Sequence, residues 1–261
     1  MPTVTSKDGT TIGYETLGAG APIILIDGAF CYRQFGPMGA LAPLMSPHFT
    51  VYMYDRRGRG ASGDTLPYAL EREIEDLDAL IDAAGGSAYV YGISSGAALA
   101  LEAAIQLGSK IKQLALYEAP YNTEPGAREQ WATYRHELGA ALAAGRPGDA
   151  VAHFMTLVGT PPDQVAGMRQ MPMWPMLEAV APTLVYDATA LGDERTAPLA
   201  RAASVHVPTL VMSGGAGFPF MEVTARALSD ALPNAQFRSL PGQTHDVAPD
   251  AIAPVLSEFF S

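Results

Sequence analysis

The sequence contains a single cysteine, Cys31, and no long apolar run. One cysteine excludes an internal disulfide framework, and no apolar segment approaches the roughly 20 residues that span a bilayer. The N-terminal stretch lacks the basic and apolar segments of a secretory signal. Basic residues are also scarce: 16 Lys and Arg stand against 27 Asp and Glu, a formal net charge of −11. This charge argues against nucleic acid or a membrane as a partner, and we expect a cytoplasmic protein.

What the chain does contain is a globular composition, with 48% apolar and 16% charged residues among 261. After a predicted hairpin, apolar runs at 22–27, 49–55 and 88–92 have the length and composition of buried strands. Between them, Leu and Ile residues over 70–81 recur at helical spacing. Strands that alternate with helices predict an α/β fold with a mostly parallel central sheet and helices on both faces.

This alternation changes after Pro120. Residues 121–205 contain several helical patterns and no convincing strand, and strand patterns resume at 207–215 and 235–240. We therefore predict one core domain, residues 1–120 and 206–261, with a helical cap of residues 121–205 inserted into it. An insertion at the carboxyl end of a central strand lies where open α/β sheets bind ligands.

The segment 88–97 reads AYVYGISSGA and places a Gly-x-Ser-x-Gly pattern between a strand and a helix. A serine nucleophile on such a corner needs small residues where the strand and helix backbones nearly touch. Spacing selects Ser94 as the candidate nucleophile, and the N–H of Ser95 then lies at the helix start as a candidate oxyanion donor. A glycine-rich turn without chemistry is the alternative.

Three segments together make the chain resemble the α/β-hydrolase fold family from end to end. They are the turn at Ser94, the sequence YDRRGRGASGD after the strand at 49–55, and the C-terminal sequence PGQTHDVAPDAIAPVLSEFF. The resemblance implies esterase-type hydrolysis by a serine, an acid and a histidine in that chain order. The sequence has no phosphate loop, zinc-ligand spacing or dinucleotide-binding fingerprint, and we expect that no cofactor is required.

His245 is the candidate base, since it follows the last strand and a Pro-Gly turn and can reach the sheet's carboxyl edge. The other histidines fit less well. His48 and His206 precede strands, and His136 and His153 belong to helical patterns of the predicted cap.

The candidate acid departs from the family pattern. Most members have an aspartate after the strand that corresponds to 207–215, whereas residues 213–219 contain no carboxylate. Glu118 ends the neighbouring strand, where an unpaired buried carboxylate would be unfavourable, and we predict that it replaces the missing acid. Asp27 is the second candidate, and a serine–histidine dyad is the third possibility.

The second oxyanion donor is expected on the loop after the first buried strand. The resemblance matches the N–H of Ala29 to this role, and Asp27-Gly28 stands where the family has His-Gly. Asp27 then places a potential negative charge near the oxyanion. Either the pKa of Asp27 rises, or an arginine balances the charge. The arginines considered for this are Arg33, Arg56 and Arg57.

Methionine and aromatic residues are frequent over 155–176, which favours a pliable apolar pocket unless they only fill a core. We therefore expect a serine hydrolase for a small apolar or aromatic ester, thioester or lactone. A cofactor-free lyase, a perhydrolase or a carbon–carbon hydrolase with the same Ser–His pair is the enzymatic alternative. A non-catalytic small-molecule binder is the other alternative. The sequence indicates no metal site and no particular oligomeric state.

Overall fold

The computed structural model describes all of residues 1–261. It contains a single sheet of eight strands. In chain order the strands are β1 (Thr3–Thr5), β2 (Thr11–Leu17), β3 (Ala21–Ile26), β4 (Phe49–Tyr54), β5 (Ala88–Ile93), β6 (Ile111–Tyr117), β7 (Thr209–Gly214) and β8 (Ala235–Leu240).

Eleven α-helices accompany the sheet. They are α1 (Met38–Met45), α2 (Leu70–Ala83), α3 (Ser95–Leu107), α4 (Ala127–Ala143), α5 (Pro147–Leu157), α6 (Pro162–Met168), α7 (Trp174–Val180), α8 (Leu184–Ala190), α9 (Leu199–Ala202), α10 (Pro219–Ala231) and α11 (Pro249–Phe260). None of them combines the length and the apolar character needed to cross a membrane.

The strand order is β1-β2-β4-β3-β5-β6-β7-β8. Strands β3 to β8 pair with one another in parallel. Strand β2 pairs antiparallel with both β1 and β4. The predicted mostly parallel sheet is therefore confirmed. Strand β5 lies between β3 and β6, so residues that follow these three strands meet at one edge of the sheet.

Each face of the sheet packs against its own helices. On one face, α3 covers β3, β5 and β6, α10 covers β7 and β8, and α2 packs beside α3, with Leu77, Leu99 and Leu228 among the buried residues. On the other face, α1 and α11 contribute Leu41 and Leu256 to a second core cluster. Strands buried on both faces explain the continuous apolar runs in the sequence.

Between β6 and β7 the chain forms helices α4 to α9 and no strand. We keep the predicted boundaries, 121–205, and refer to this segment as the helical insertion. Its helix α8 packs against α2 and α3, and helix α5 packs against α4 and α7. The insertion therefore contacts the core beside the N-terminus of α3, where Ser94 and Ser95 lie.

Candidate active site

Ser94 occupies the corner between strand β5 and helix α3, as the sequence predicts. Its backbone has φ 58° and ψ −130°, a conformation that non-glycine residues rarely adopt. The Ser94 N–H donates to the carbonyl of Tyr117 on the neighbouring strand, at 3.0 Å, which holds the strained backbone in place. Such strain persists only where the surroundings determine it, and it is concentrated at functional sites.

The glycines around Ser94 allow backbones to approach closely. A Cβ atom at Gly92 would collide with the carbonyl oxygen of Gly96, and one at Gly96 would collide with that of Ile26. A Cβ at Gly28 would lie only 3.0 Å from the Ser94 Cβ. The pattern of small residues therefore has the steric reason that the sequence suggested.

Glu118 follows strand β6 directly, and its side chain is completely buried. Its Oε2 atom lies 2.7 Å from Nδ1 of His245, and its Oε1 accepts a hydrogen bond of 2.8 Å from the N–H of Gly214. Both carboxylate oxygens are thus engaged. The backbone of Glu118 is left-handed, with φ 46°, and its N–H donates to Met212. The structure brings the two predicted residues, Glu118 and His245, together.

The segment after β7, where the family aspartate is missing, leaves room for Glu118. Gly214 supplies the N–H that binds Oε1, and a Cβ at Gly217 would lie 3.1 Å from the same oxygen. The carboxylate of Glu118 is thus sterically complementary to these glycines, which stand where most family members have the aspartate.

The loop that carries His245 is fixed from several sides. The Tyr117 hydroxyl donates to the carbonyl of Thr244 at 2.5 Å, and the Ala216 N–H donates to that of Gln243 at 2.8 Å. The imidazole itself is about one-third exposed. Ser94 and His245 share no hydrogen bond in this structure, and such bonds are often long before substrate is bound.

Both predicted oxyanion donors are available. The N–H groups of Ala29 and Ser95 donate to no acceptor within the protein. The carbonyl of Gly28, which belongs to the same peptide unit as the Ala29 N–H, accepts a hydrogen bond of 2.7 Å from Nη1 of Arg59. Since this peptide is trans, its N–H points away from Arg59.

Asp187, a residue of helix α8 that the sequence did not reveal, ties the helical insertion to this site. Its Oδ1 accepts hydrogen bonds from Arg56 at 2.6 Å and from the Ser95 hydroxyl at 2.7 Å, and its Oδ2 accepts one from Arg59 at 2.7 Å. Burial by itself would raise the pKa of Asp187, but Arg59 and Arg56 outweigh this effect and lower it. The carboxylate is therefore charged and orders the residues beside both oxyanion donors.

Asp27, the second candidate acid, lies at the end of β3 and forms neither a hydrogen bond nor an ion pair with His245. Its Oδ1 is buried without a hydrogen-bond partner. Burial raises the pKa of Asp27 to about 7 in spite of the positive charges of Arg59 and Arg56. Of the two outcomes expected from the sequence, the burial of Asp27 favours the raised pKa. The arginines weighed as its partners bind other carboxylates: Arg33 binds Asp55, Arg56 binds Glu73 and Asp187, and Arg57 binds Asp8 and Asp76.

Aromatic side chains, more than methionines, lead from the oxyanion loop into the helical insertion. Phe30, with φ 63°, is buried and packs edge-on against Phe154 of α5, with ring centroids 4.9 Å apart. Met155 and Met168 of the methionine-rich stretch pack against the core, whereas Met171 is exposed. Part of this stretch therefore fills a core, which was the alternative to a pliable pocket. Prolines divide the stretch into short helices, so its side chains do not share one buried face.

Comparison with known proteins agrees with this architecture. Residues 18–256 match the alpha/beta hydrolase family. A crystal structure of an alpha/beta hydrolase from Sphaerobacter thermophilus is 55% identical over 100% of both chains, with a TM-score of 0.90. A thermophilic esterase from Thermogutta terrifontis is 24% identical over 99% of this chain and 97% of its own, with a TM-score of 0.74. The enol-lactonase from Burkholderia xenovorans is 23% identical over 99% of this chain and 99% of its own, with a TM-score of 0.68.

The family match and the 55% identity show that the protein belongs to the alpha/beta hydrolase family. The two more distant structures show the shared fold alone.

Proposed function

We propose that the protein is a serine hydrolase that cleaves a carboxylic ester, thioester or lactone through an acyl-enzyme on Ser94. The observation that carries the proposal is the 2.7 Å contact between Glu118 Oε2 and His245 Nδ1 beside a strained serine. A carboxylate in this position holds the imidazole in the tautomer whose Nε2 accepts a proton, and it stabilises the imidazolium that forms.

In the first half of the reaction, Ser94 Oγ attacks the substrate carbonyl carbon while His245 Nε2 takes the hydroxyl proton. The carbonyl oxygen becomes an oxyanion, which accepts hydrogen bonds from the Ala29 and Ser95 N–H groups. The tetrahedral intermediate then collapses. The bond to the leaving alcohol or thiol breaks, His245 returns the proton to it, and the acyl group remains on Ser94.

In the second half, water attacks the acyl-enzyme. His245 takes one proton from the water, the same two N–H groups bind the second oxyanion, and the Ser94–acyl bond breaks. The carboxylic acid leaves and the serine regains its proton. Every step uses residues of this chain, and the substrate we propose is small, with an apolar or aromatic acyl part beside Phe30 and Phe154.

An enzyme without the usual aspartate could instead carry out lyase, perhydrolase or carbon–carbon hydrolase chemistry with the same Ser–His pair. The contact between Glu118 and His245 supports Glu118 as the acid, and ester-type hydrolysis is therefore the reaction we propose. A non-catalytic binder would have little need for a charged acid oriented on a histidine beside a strained serine.

The test is covalent labelling with an alkyl fluorophosphonate, followed by intact-mass measurement. Attack of Ser94 on phosphorus expels fluoride and leaves one phosphonyl group on the protein. We expect stoichiometric labelling of the wild type, none in Ser94→Ala, and much slower labelling in Glu118→Gln. Ser204→Ala changes an exposed serine and serves as the matched control, which should label like the wild type.

Labelled wild type would be followed by a series of 4-nitrophenyl esters and thioesters of increasing chain length. An unlabelled wild type that nevertheless binds hydrolysis-resistant ester analogues would contradict the hydrolase proposal. The binder would then be the better description.

A further inference from the structure

Four arginines of this protein are buried: Arg56, Arg57, Arg59 and Arg195. Three of them have carboxylate partners, and the closest oxygens lie 2.6–2.7 Å from Arg56, Arg57 and Arg59. Arg195 has no carboxylate within 4.0 Å, although the chain carries eleven more acidic than basic residues. A buried cation without a counter-ion is unfavourable and needs an explanation.

Arg195 is nevertheless held firmly. Its Nε donates to the carbonyl of Pro120 at 2.6 Å, and its guanidinium lies over the rings of Trp131 and Phe220, at 5.3 Å and 5.8 Å from their centroids. Its carbonyl accepts a hydrogen bond from the N–H of Asn122. The two Nη groups donate to no acceptor in the protein. The side chain is thus oriented while its bidentate donor edge is left free.

The backbone gives a second, independent indication. Only four non-glycine residues of the protein have a positive φ: Phe30, Ser94, Glu118 and Arg195. The first three belong to the oxyanion loop, the proposed nucleophile and the proposed acid. Since backbone strain of this kind is concentrated at functional sites, the fourth residue is expected to have a role there as well.

A row of aromatic side chains connects Arg195 to the oxyanion loop. From Trp131 the row continues to Tyr134, with centroids 5.3 Å apart, then to Phe154 at 6.3 Å and to Phe30 at 4.9 Å. The Tyr134 hydroxyl makes no hydrogen bond. Burial raises the pKa of Tyr134 well above its ordinary value, so that the hydroxyl remains a neutral donor.

We propose that Arg195, assisted by the Tyr134 hydroxyl, binds a carboxylate at the far end of the substrate's acyl group. The proposal rests on the proposed function and narrows its substrate class from apolar acyl esters to monoesters, or lactones, of dicarboxylic acids. The apolar middle of the acyl chain lies along the aromatic row, and its terminal carboxylate receives the free Nη donors.

A carboxylate fits this position better than a phosphate. One guanidinium and one neutral hydroxyl balance a single negative charge, whereas a phosphate group carries nearly two at neutral pH. Burial lowers the pKa of Arg195 to about 10, which leaves the guanidinium charged at pH 7. Since the arginine is already largely desolvated and oriented in the free protein, binding a carboxylate needs little further desolvation or ordering of this side chain.

The kinetic test compares 4-nitrophenyl pentanoate with the mono-4-nitrophenyl ester of glutaric acid, which has a similar length and a terminal carboxylate. In the wild type we expect kcat/KM to be roughly tenfold to hundredfold higher for the charged ester, the range of a charge-assisted hydrogen bond. Arg195→Gln should bring the ratio of the two values close to one. Tyr134→Phe, which removes only a hydroxyl, should lower the ratio by a smaller factor.

Arg128→Gln is the matched control, since Arg128 is an exposed arginine of the same region and pairs with Glu194. It should leave the ratio of the two kcat/KM values at the wild-type level. A wild type that prefers the neutral ester, or an Arg195→Gln enzyme that keeps the preference for the charged one, would overturn the proposal. Thermal unfolding of each variant shows whether it is folded. If Arg195→Gln is not folded, the ratio of the two kcat/KM values in Tyr134→Phe decides the outcome.

A binding measurement separates this proposal from the hydrolase proposal. Glutarate should bind Ser94→Ala in calorimetry and raise its melting temperature, and the additional change Tyr134→Phe or Arg195→Gln should weaken this binding. Glutarate binding without turnover of any ester would retain the carboxylate site and reject the hydrolase. Turnover of the neutral ester without glutarate binding would reject the carboxylate site and retain the hydrolase.

Discussion

Two buried carboxyl groups stand at the ends of strands β3 and β6, on either side of the strand that presents Ser94. Glu118 has both oxygens engaged, by His245 and by the Gly214 N–H. Asp27 is buried to a similar degree, yet its Oδ1 has no hydrogen-bond partner, and burial raises its pKa to about 7. Burial alone therefore does not distinguish Glu118, the proposed acid, from Asp27. Hydrogen-bond donors aimed at the carboxylate decide which of the two can orient a histidine.

The largest effect is expected from Glu118→Gln. This change keeps the shape of the side chain but removes the charge that orients His245 and stabilises its protonated form. We expect kcat for a reactive ester to fall by about 10³- to 10⁴-fold, as for the loss of a triad carboxylate in general. Asp27→Asn is the matched control and should retain most of the activity. The reverse result, with Asp27→Asn the more damaging change, would exchange the roles of the two acids.

Asp187→Asn tests a third buried carboxylate, which resembles Glu118 in having both oxygens engaged. Without its charge, Arg56 and Arg59 lose part of their neutralisation in a buried site. Breaking such a network lowers the free energy of unfolding by about 3–5 kcal/mol, which urea denaturation would measure. Labelling of Ser94 by the fluorophosphonate should also slow, because Arg59 holds the Gly28 carbonyl and thereby the direction of the Ala29 N–H.

The control for this change is Asp193→Asn in the same helical insertion. Asp193 is largely exposed and pairs with Arg135 at 2.7 Å. Exposed ion pairs contribute about 0–1 kcal/mol, so the free energy of unfolding should barely change. Equal urea midpoints for Asp187→Asn and Asp193→Asn would show that the buried network around Asp187 does not stabilise the protein.

Asp27→Asn should have an effect on stability that depends on pH. The pKa of Asp27 is about 7 in the folded protein, whereas an aspartate free of such burial, as in the unfolded chain, has a pKa of 3.8. Between these values only the unfolded chain releases the proton, so wild-type stability falls as pH rises from about 4 to about 7. The free energy of unfolding of Asp27→Asn should therefore exceed that of the wild type above pH 7, by at most about 4 kcal/mol.

Below pH 4 this difference should vanish, since the carboxyl group is then protonated in both states. Chemical denaturation of both proteins at pH 4, 6 and 8 measures the trend. A difference that stays constant with pH would show that Asp27 keeps an ordinary pKa. Hydrogen-bond geometry alone would then distinguish Asp27 from Glu118.

The parts of the site that the sequence predicts are those set by local pattern. Ser94 is recognisable because a strand, a tight turn and a helix follow each other within ten residues. Glu118 is predictable because adjacent parallel strands end at one edge of the sheet, which leaves few places for an acid. The close approach of Glu118 and His245, 127 positions apart, agrees with that expectation.

Asp187 and Arg195 could not be predicted in the same way. Both lie in the helical insertion, and their roles depend on how short helices pack against the core. Asp187 meets Arg56 across 131 positions. The three arginines of YDRRGRG gave a partial signal, because buried arginines need carboxylates, but the sequence offers 27 candidates. For Arg195 the informative feature is a missing partner, which only the three-dimensional arrangement reveals.

The smallest expected effect tests whether room around Glu118 matters as much as its hydrogen bonds. In Gly217→Ala the new Cβ would lie 3.1 Å from Glu118 Oε1, closer than ordinary contact, so the carboxylate must shift by a few tenths of an ångström. Since catalysis is sensitive to small displacements of a positioned group, we expect kcat to fall severalfold while the protein stays folded. Gly139→Ala on helix α4, where a Cβ meets no atom within 4 Å, should leave kcat unchanged and raise stability by up to about 1 kcal/mol. Equal kcat in both variants would mean that Glu118 tolerates displacement, and its hydrogen bonds alone would then distinguish it from Asp27.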